Sequence, residues 1–579
     1  MKRKATFIRI IGYLMCHKIQ LFFVLALSLI GNLLALAGPR LSGTAINLID
    51  KGAKGNMNMP LLYRYAALLL SFYVTSSLMS YIVNVSMIAL SRKITYTLRK
   101  DMFNHLVVLP VSFFDNTTTG DILSRISYDI DTINASLSND VVQVLSSSVT
   151  IAGSLFMMIR LSPRLVLIFT VTIPLALVLA SYLTRMVQPM FRARSKAAGD
   201  LNGYVEEMIS GQKTLRAYTQ EERVIKEMDV QNKKLADAYY KTDYYASIMG
   251  PSTNAINNLA LALISVFGAI LYLKGQIDIG SISAFVLYSR KFTGPIREIA
   301  EIYGELQSSL AAAERVFKVL DEEPEPADHE DARNLSSPEG NVALSHVNFG
   351  YQKDRVILKD FSMEAPKGSL IAIVGPTGAG KTTFINLLMR FYDIDSGKIL
   401  VDGQNIADIT RKSLRLSYSM VLQDTWLFYG TIYENIAYGR PDATREEVIA
   451  AAKTARIHTY IESLPQGYDT LLIDDGTNIS KGQKQLLTIA RALLMRSPML
   501  ILDEATSNVD TRTEHQIQAA MRSLMENKTC FVVAHRLSTI RNADCILVVQ
   551  DGNVVERGNH GELMKRKGFY YEMHQSQYQ

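Results

Sequence analysis

The chain has 579 residues, 48% of them hydrophobic and 20% charged, with a mean hydropathy of +0.09. That much apolar side chain excludes a disordered chain, and a charged fraction below the roughly 25% of soluble domains strains an all-soluble reading. A net charge of +6 is modest for this length. Basic loops beside a membrane account for it as well as nucleic acid would, and no nucleic-acid partner is expected.

In chain order, residues 1–320 carry the long apolar runs. A membrane span needs about 20 mostly apolar residues. Runs at 19–41, 61–91, 139–160, 163–185 and 248–273 meet that length. A sixth, at 280–304, meets it with Arg290, Lys291, Arg297, Glu298 and Glu301 inside it. Any one run alone is equally a buried soluble helix. Six together, in a region without strand alternation, predict an all-α six-helix transmembrane domain. No small-residue cleavage site follows the basic start Met1-Lys-Arg-Lys4 at the distance a signal peptide requires, so the first span is expected to be retained.

Lys2 to Lys4, Arg92, Lys93, Arg99, Lys100, Arg192, Arg194, Lys196, Lys213 and Arg216 fall in one set of connections, which the positive-inside rule assigns to the cytoplasm with both termini. The expected location is the plasma membrane, multi-pass. The two cytoplasmic connections, 92–138 and 186–247, are long and read as helices reaching beyond the bilayer. Asn32, Arg40, Gln143, Asn254, Asn258, Arg290 and Lys291 are polar residues within the runs. They are candidates for a substrate path, with helix–helix hydrogen bonds or interfacial placement as the ordinary alternative.

Residues 321–340 read DEEPEPADHEDARNLSSPEG, an acidic, proline-containing stretch that marks a linker. From 341 to 579 short β-branched strands alternate with helices, the pattern of an α/β domain. Cys16, Cys530 and Cys545 fit neither a disulfide framework nor a metal site and are expected as reduced thiols.

Gly375-Pro-Thr-Gly-Ala-Gly-Lys-Thr382 fits G-x-x-x-x-G-K-[ST] and lies between a strand-like run at 370–374 and a helix-like run at 383–390. That context separates a phosphate-binding loop from a chance glycine-rich turn. Glycines let backbone N–H groups converge on phosphate, and the helix start adds positive potential. Lys381 is expected at the β- and γ-phosphates and Thr382 on Mg²⁺. Met499-Leu-Ile-Leu-Asp503-Glu504 is a second buried-strand run ending in two acids. Asp503 is expected to help hold Mg²⁺ and Glu504 to polarise the attacking water.

With these motifs in place, the chain resembles the ATP-binding cassette exporter half-transporters over nearly its whole length. Asn478-Ile-Ser-Lys-Gly-Gln483 stands at the family's signature, Gln423 in Val421-Leu-Gln-Asp424 at the Q-loop, and His535 in Val533-Ala-His-Arg-Leu537 at the switch histidine. Tyr351 in Asn348-Phe-Gly-Tyr351 matches the aromatic that stacks on adenine. Leu109-Pro-Val-Ser-Phe-Phe-Asp115 with Gly120-Asp-Ile-Leu-Ser-Arg125, and Tyr204-Val-Glu-Glu-Met-Ile-Ser-Gly211, resemble the two intracellular loops. The implied fold is the six-helix transmembrane domain followed by an α/β P-loop nucleotide-binding domain. The implied function is ATP-driven export of an amphipathic drug, lipid or peptide, with an ATP-gated channel or transport regulator as the alternative. A soluble cassette protein acting on nucleic acid would lack the apolar half, and an importer is disfavoured by the fused domain order.

The resemblance also implies roles. Glu504, His535 and Lys381 would be catalytic. ATP would be held by Tyr351, by Gly375, Pro376, Thr377, Gly378, Ala379, Gly380, Lys381, Thr382 and Thr383, by Gln423, and from the other subunit by Ser480, Gly482, Gln483 and Asp510. Thr382, Gln423 and Asp503 would hold Mg²⁺. The signature departs from the family pattern: Lys481 replaces a glycine and Ile479 a leucine, and Asn508-Val509 replaces Ala-Leu. Loss of glycine's access to positive φ at 481 is expected to change the local geometry. An intact P-loop with an altered signature resembles one half of a heterodimer with unequal ATP sites; a heterodimer is favoured over a homodimer.

Overall fold

The computed structural model describes residues 2–53, 55, 58–352, 354–423, 425–473, 476, 478–503, 510–533 and 540–578. The chain divides into two compact units. One comprises Met1–Val107 with Thr119–Glu322, the other Val108–Thr118 with Glu323–Gln579.

The first unit is helical throughout. Its elements are α1 (Lys2–Met15), α2 (Lys18–Ala53) and α3 (Met59–Leu106). After α4 (Val111–Asp115), which belongs to the second unit, come α5 (Thr119–Ser124), a single π-helical turn at Arg125–Asp129, α6 (Ile130–Leu161), α7 (Pro163–Ser210), α8 (Gln212–Ala217), α9 (Glu221–Ser247), α10 (Met249–Leu273) and α11 (Ile279–Leu320). Local chemistry sets the starts. Asn58 caps α3 by accepting from the Leu61 amide at 3.1 Å, with proline in the first turn. Asp278 caps α11 by accepting from the Ser281 amide at 2.7 Å.

Among the described residues, five helical stretches are long and apolar enough to cross a membrane by length and composition: Lys18–Ala53, Met59–Leu106, Thr119–Leu161, Pro163–Ser210 and Glu221–Leu273. Both α3 and α7 run 48 residues. At 1.5 Å per residue that is about 72 Å, well over the ~30 Å of a hydrocarbon core. The connections expected at 92–138 and 186–247 therefore begin as unbroken continuations of the spans. The stretch 280–304 lies within the 42 residues of α11, and its charges keep it out of the apolar set. Large apolar side chains such as Phe22, Leu70 and Val178 lie exposed on the helices, as a bilayer-facing surface requires.

Helix contacts in this unit mix apolar packing with single polar bonds. Phe285, Tyr288, Phe292 and Phe169 form a buried cluster with Leu36, and the Tyr288 hydroxyl donates to the Leu36 carbonyl at 2.6 Å. Asn32 accepts from Ser146 Oγ at 2.9 Å, joining α2 to α6. Gln143 donates to Glu298 at 2.8 Å, joining α6 to α11. Two of the polar candidates thus form helix–helix hydrogen bonds. Asn254, Asn258 and Arg290 are exposed on this unit, and Lys291 is half-buried.

Among its described residues the second unit has three sheets. Strands β1 (Val342–Phe349), β2 (Leu358–Ala365), β4 (Ser396–Val401) and β5 (Gln404–Asn405) form an antiparallel sheet in the order β2-β1-β4-β5. The larger sheet, in the order β12-β11-β3-β10-β9-β6, contains β3 (Leu370–Val374), β6 (Tyr418–Val421), β9 (Met499–Asp503), β10 (Thr529–Val533), β11 (Cys545–Gln550) and β12 (Asn553–Gly558). It is parallel except for its edge strand β12. The pair β7 (Gly430–Thr431) and β8 (Leu471–Leu472) makes the third.

Both faces of the large sheet are covered, which explains its unbroken apolar strands. Ile371, Ile373, Ile501, Phe531 and Val533 face a core shared with the antiparallel sheet and with α12 (Lys381–Leu388). Ala372, Val374, Leu500, Leu502 and Val532 face the helical side. That side comprises α14 (Ile432–Ala437), α15 (Arg445–Thr454), α16 (His458–Ser463), α17 (Lys481–Met495) and α18 (Thr511–Met525); the short α13 (Arg411–Leu416) precedes β6, and α19 (His560–Arg566) and α20 (Phe569–Tyr578) end the unit. The three cysteines are free. Burial pushes the Cys530 thiol up to about 12, which keeps it protonated and inert.

From Glu323 on, the acidic stretch belongs to this unit and is held on it. Arg415 makes a two-pronged ion pair with Glu325, and the buried Arg411 donates to Asp328 at 3.0 Å and to the Pro326 carbonyl at 2.8 Å. The Thr410 amide also donates to the Arg333 carbonyl at 3.0 Å.

Candidate nucleotide site

The parallel order β3-β10-β9-β6 determines where the sequence motifs meet. In a parallel sheet all carboxyl ends share one edge, and ligands bind there. The phosphate-loop motif leaves β3 at that edge. Register pairs Ile373 with Val533, Val533 with Asp503, and Leu502 with Val421. Asp503 thus ends β9 between the ends of β10 and β6, and Gln423 lies two residues past β6. Glu504 and His535, the residues expected to act on the attacking water and the γ-phosphate, lie outside the described residues. The strands that lead to them end at this edge.

The loop itself is shaped as a cradle. Gly378 and Gly380 take φ of +86° and +102°, conformations closed to most side chains. Gly375 runs against the backbone of β11: a Cβ there would lie 2.1 Å from the Val549 carbonyl oxygen. Gly380 is the N-cap of α12 and supplies no side-chain acceptor, so the first-turn amides have no cap from their own helix. Lys381 is buried and folds back over the loop, its Nζ donating to the carbonyls of Gly375 at 2.7 Å and Pro376 at 3.0 Å. Pro376, Thr377, Gly378 and Thr382 are exposed around it, while Ala379 and Thr383 are buried. Convergent amides, a helix start and an ammonium make a set of donors suited to polyphosphate. Oxygens of Thr382, Gln423 and Asp503 suit a hard divalent cation such as Mg²⁺.

An aromatic surface adjoins the loop. Tyr351 is half exposed, and its hydroxyl lies 3.3 Å from Thr383 Oγ1 and accepts from Asn386 Nδ2 at 3.1 Å. These bonds fix Tyr351 beside α12. Phe349 of the same motif supports it, as do two residues outside the motifs, Asn386 and Tyr392. The rings of Tyr392 and Phe349 meet Tyr351 edge-on, with centroids 4.9 and 5.1 Å away. The aromatic pair in Arg390-Phe-Tyr-Asp393 is the sequence signal of Tyr392, and Phe349 lies within the Asn348-Phe-Gly-Tyr351 motif.

The signature residues lie on a different element, at the start of α17. Ser480 and Gln483 form a reciprocal cap: Gln483 N donates to Ser480 Oγ at 3.3 Å, and Ser480 N donates to Gln483 Oε1 at 2.9 Å. Gly482 is buried behind them. The expectation about Lys481 is corrected here. Lys481 is the first helical residue of α17 and has no positive φ, so the backbone accepts a side chain without strain. The exposed Lys481 changes charge at this surface rather than backbone geometry. Asp510 caps α18, accepting from the Thr513 amide at 3.0 Å. That bond holds its carboxyl below the usual range.

Comparison with known proteins agrees with both units. Residues 21–296 match the family model for the ABC transporter transmembrane region, and residues 358–507 match that for the ABC transporter. An uncharacterized ABC transporter ATP-binding protein, YfiC of Bacillus subtilis, is 42% identical over 576 residues, covering 100% of this chain and 95% of its own. A fatty acid ABC transporter ATP-binding/permease protein of Mycobacterium tuberculosis is 46% identical over 511 residues, covering 88% and 80%. The structure of a bacterial Atm1-family ABC exporter with ATP bound superposes with a TM-score of 0.77 at 30% identity, covering 97% of this chain and 98% of that one.

Proposed function

The chain belongs to the ABC transporters as an exporter half-transporter, and from that premise we propose how its own residues divide the work. The protein is a multi-pass membrane ATPase that drives export, and ABC exporters act as dimers within the membrane. The observation that carries the assignment of residues is the parallel edge where β3, β10, β9 and β6 end together. There Lys381 and the first-turn amides of α12 hold the β- and γ-phosphates, and Tyr351 stacks on the adenine. Thr382, Asp503 and Gln423 hold Mg²⁺, which neutralises charge on the phosphates when bound. Glu504 orients and activates the attacking water, and His535 contacts the γ-phosphate.

Ser480, Gly482, Gln483 and Asp510 complete the site of a second subunit. ATP therefore favours the closed dimer because its γ-phosphate is bound from both sides, and hydrolysis releases that closure. The segments 113–120 and 210–218 carry the movement to the spans. The α11 helix serves as the sixth span, with both termini and the nucleotide unit in the cytoplasm and the spans in the plasma membrane. Retention of Glu504 beside a lysine-bearing signature supports a heterodimer in which this chain's P-loop forms the hydrolysing site.

The cargo is an amphipathic molecule. The relative named as a fatty acid transporter, together with Arg290 and Lys291 near the middle of the run 280–304 in α11, makes a long-chain carboxylate the first class to test. The full chain, alone and co-expressed with a candidate partner half-transporter, is reconstituted in liposomes and its ATPase read against long-chain fatty acids and neutral amphiphiles. Stimulation by the carboxylates supports this cargo. Stimulation only by neutral amphiphiles overturns it. Full substrate-stimulated turnover by the single polypeptide overturns the heterodimer.

A further inference from the structure

Tyr392 does more than fill space behind Tyr351. Its hydroxyl donates to Asp115 Oδ2, 277 residues away in the sequence. Asp115 is the last residue of α4, the short helix that joins the second unit although the residues on either side of 108–118 belong to the first. The same segment is tied by the Glu325 amide, which donates to the Val108 carbonyl at 2.9 Å. Its α4 has no side-chain cap at its start and buries none of its five residues. Leu109 is buried just before α4, and beyond it the Asp115–Tyr392 bond is a principal polar tie of the helix's exposed end.

On its other side Tyr392 belongs to a triangle of rings. Tyr351, Phe349 and Tyr392 meet pairwise in edge-on contacts with centroids 4.9 to 5.7 Å apart. Such pairs are sensitive to orientation. Partial burial first, and then the Asp115 carboxylate, push the Tyr392 hydroxyl far above its ordinary range, so it stays a donor at any physiological pH. The adjacent Asp393 is held by Arg390 at 2.9 Å and Arg411 at 3.0 Å, which anchors the backbone from which Tyr392 projects.

We propose that Tyr392 and Asp115 are positioning residues that tie the 108–118 segment to the base-stacking surface of Tyr351. The tie works in both directions. Fixing Tyr392 through Asp115 sets the orientation of the Tyr351 ring, and a base stacked on Tyr351 steadies Tyr392 and hence α4. Linkage requires this reciprocity: whatever α4 docking adds to base binding, base binding adds to α4 docking. The device senses the base, whereas the P-loop senses the phosphates. It rests on Tyr351 being the adenine platform.

The test uses the full chain in lipid nanodiscs, with ATP and with inorganic tripolyphosphate, which carries no base. Nucleotide affinity is titrated, and hydrogen exchange is followed over 108–118. Tyr392→Phe keeps the ring and removes only the donor, and Asp115→Ala removes only the acceptor. Asp115→Asn keeps an oxygen that accepts and serves as the conservative rescue. The expected result is a 3- to 10-fold weaker ATP affinity in Tyr392→Phe and Asp115→Ala, unchanged tripolyphosphate affinity, and near-native values in Asp115→Asn. ATP, but not tripolyphosphate, should slow exchange over 108–118 in the native chain, and the two disabling variants should abolish that effect. If Tyr351→Ala weakens ATP while Tyr392→Phe and Asp115→Ala leave affinity and exchange unchanged, this inference is overturned and the nucleotide assignment stands. If Tyr351→Ala itself has no effect on ATP, the platform assignment fails and this inference with it. Equal weakening of ATP and tripolyphosphate would mark a general loss of structure and also overturn it.

Discussion

Gly43 of α2 and Gly280 of α11 meet backbone to backbone: a Cβ on Gly280 would lie 1.9 Å from the Gly43 carbonyl oxygen, and one on Gly43 would lie 2.4 Å from that of Gly280. Asn47 clasps the crossing by donating to Asp278 at 2.8 Å and accepting from the Gly280 amide at 2.7 Å. Close approach of this kind is what small residues allow between membrane helices. Neither carbonyl can yield without moving its helix. Gly280→Ala is therefore expected to destabilise the helical unit by about 1–3 kcal/mol, the range for overpacking. Gly12→Ala, where a Cβ meets nothing within 4 Å, is the control. Melting of both variants in the same detergent checks the difference; equal melting temperatures would refute the close crossing.

The P-loop assignment separates binding from chemistry. Lys381 has a fixed position over the loop, 2.7 Å from the Gly375 carbonyl, and a charge-assisted bond to phosphate is worth about 1.5–3 kcal/mol. Lys381→Ala should weaken ATP binding by roughly 10- to 100-fold, since each 1.4 kcal/mol is tenfold. Glu504→Gln should leave ATP binding intact and slow hydrolysis by about 10²–10⁴, the span of a positioned general base. Equilibrium nucleotide binding and single-turnover hydrolysis distinguish the two. Near-normal turnover in Glu504→Gln would remove Glu504 from the mechanism.

The legible parts of this chain are those where local chemistry and tertiary structure impose the same demand. Gly378 and Gly380 are readable because their positive φ is required by the loop, whatever surrounds it. The unbroken apolar strand runs are readable because both faces of the large sheet are covered. Lys481 was misread because a family glycine need not mark a positive φ; here the position is the first turn of α17, open to any residue. The Asp115–Tyr392 bond could not be read, since no local pattern links residues 277 apart. The acidic stretch has the composition of a loose linker, and its docking depends on arginines on α13 whose placement only the fold supplies.

That docking has a measurable cost of removal. Arg411 is 6% exposed and serves the Pro326 carbonyl, Asp328 and Asp393 at once. Only the arginine end of these pairs is buried, and the acids it leaves are partly solvated, so its removal is expected to cost about 1.5–3 kcal/mol, the range for a hydrogen bond to a charged group. Arg411→Ala should speed hydrogen exchange and proteolysis across 323–335, with far smaller effects on the remote β11–β12 hairpin. Unchanged protection of 323–335 would show that the stretch is held by something else.

The end of the chain carries a pH dependence of predictable sign. His560, at the start of α19, lies 2.8 Å through Nδ1 from the Tyr570 hydroxyl of α20, and its ring faces His574 at 5.4 Å. Burial first, then the neighbouring His574 and Arg541, hold its pKa below the ordinary 6.5. The folded state is then the weaker proton binder. Stability from this group is complete above about pH 6.5, the unfolded value, and falls as pH drops through that value toward the depressed one. Local opening of residues 560–578 should therefore increase between pH 7.5 and pH 5.5, once intrinsic exchange rates are corrected. His560→Gln keeps a hydrogen-bonding partner for Tyr570 and cannot titrate, so it should flatten that profile. A variant profile as steep as the native one would transfer the effect to another group.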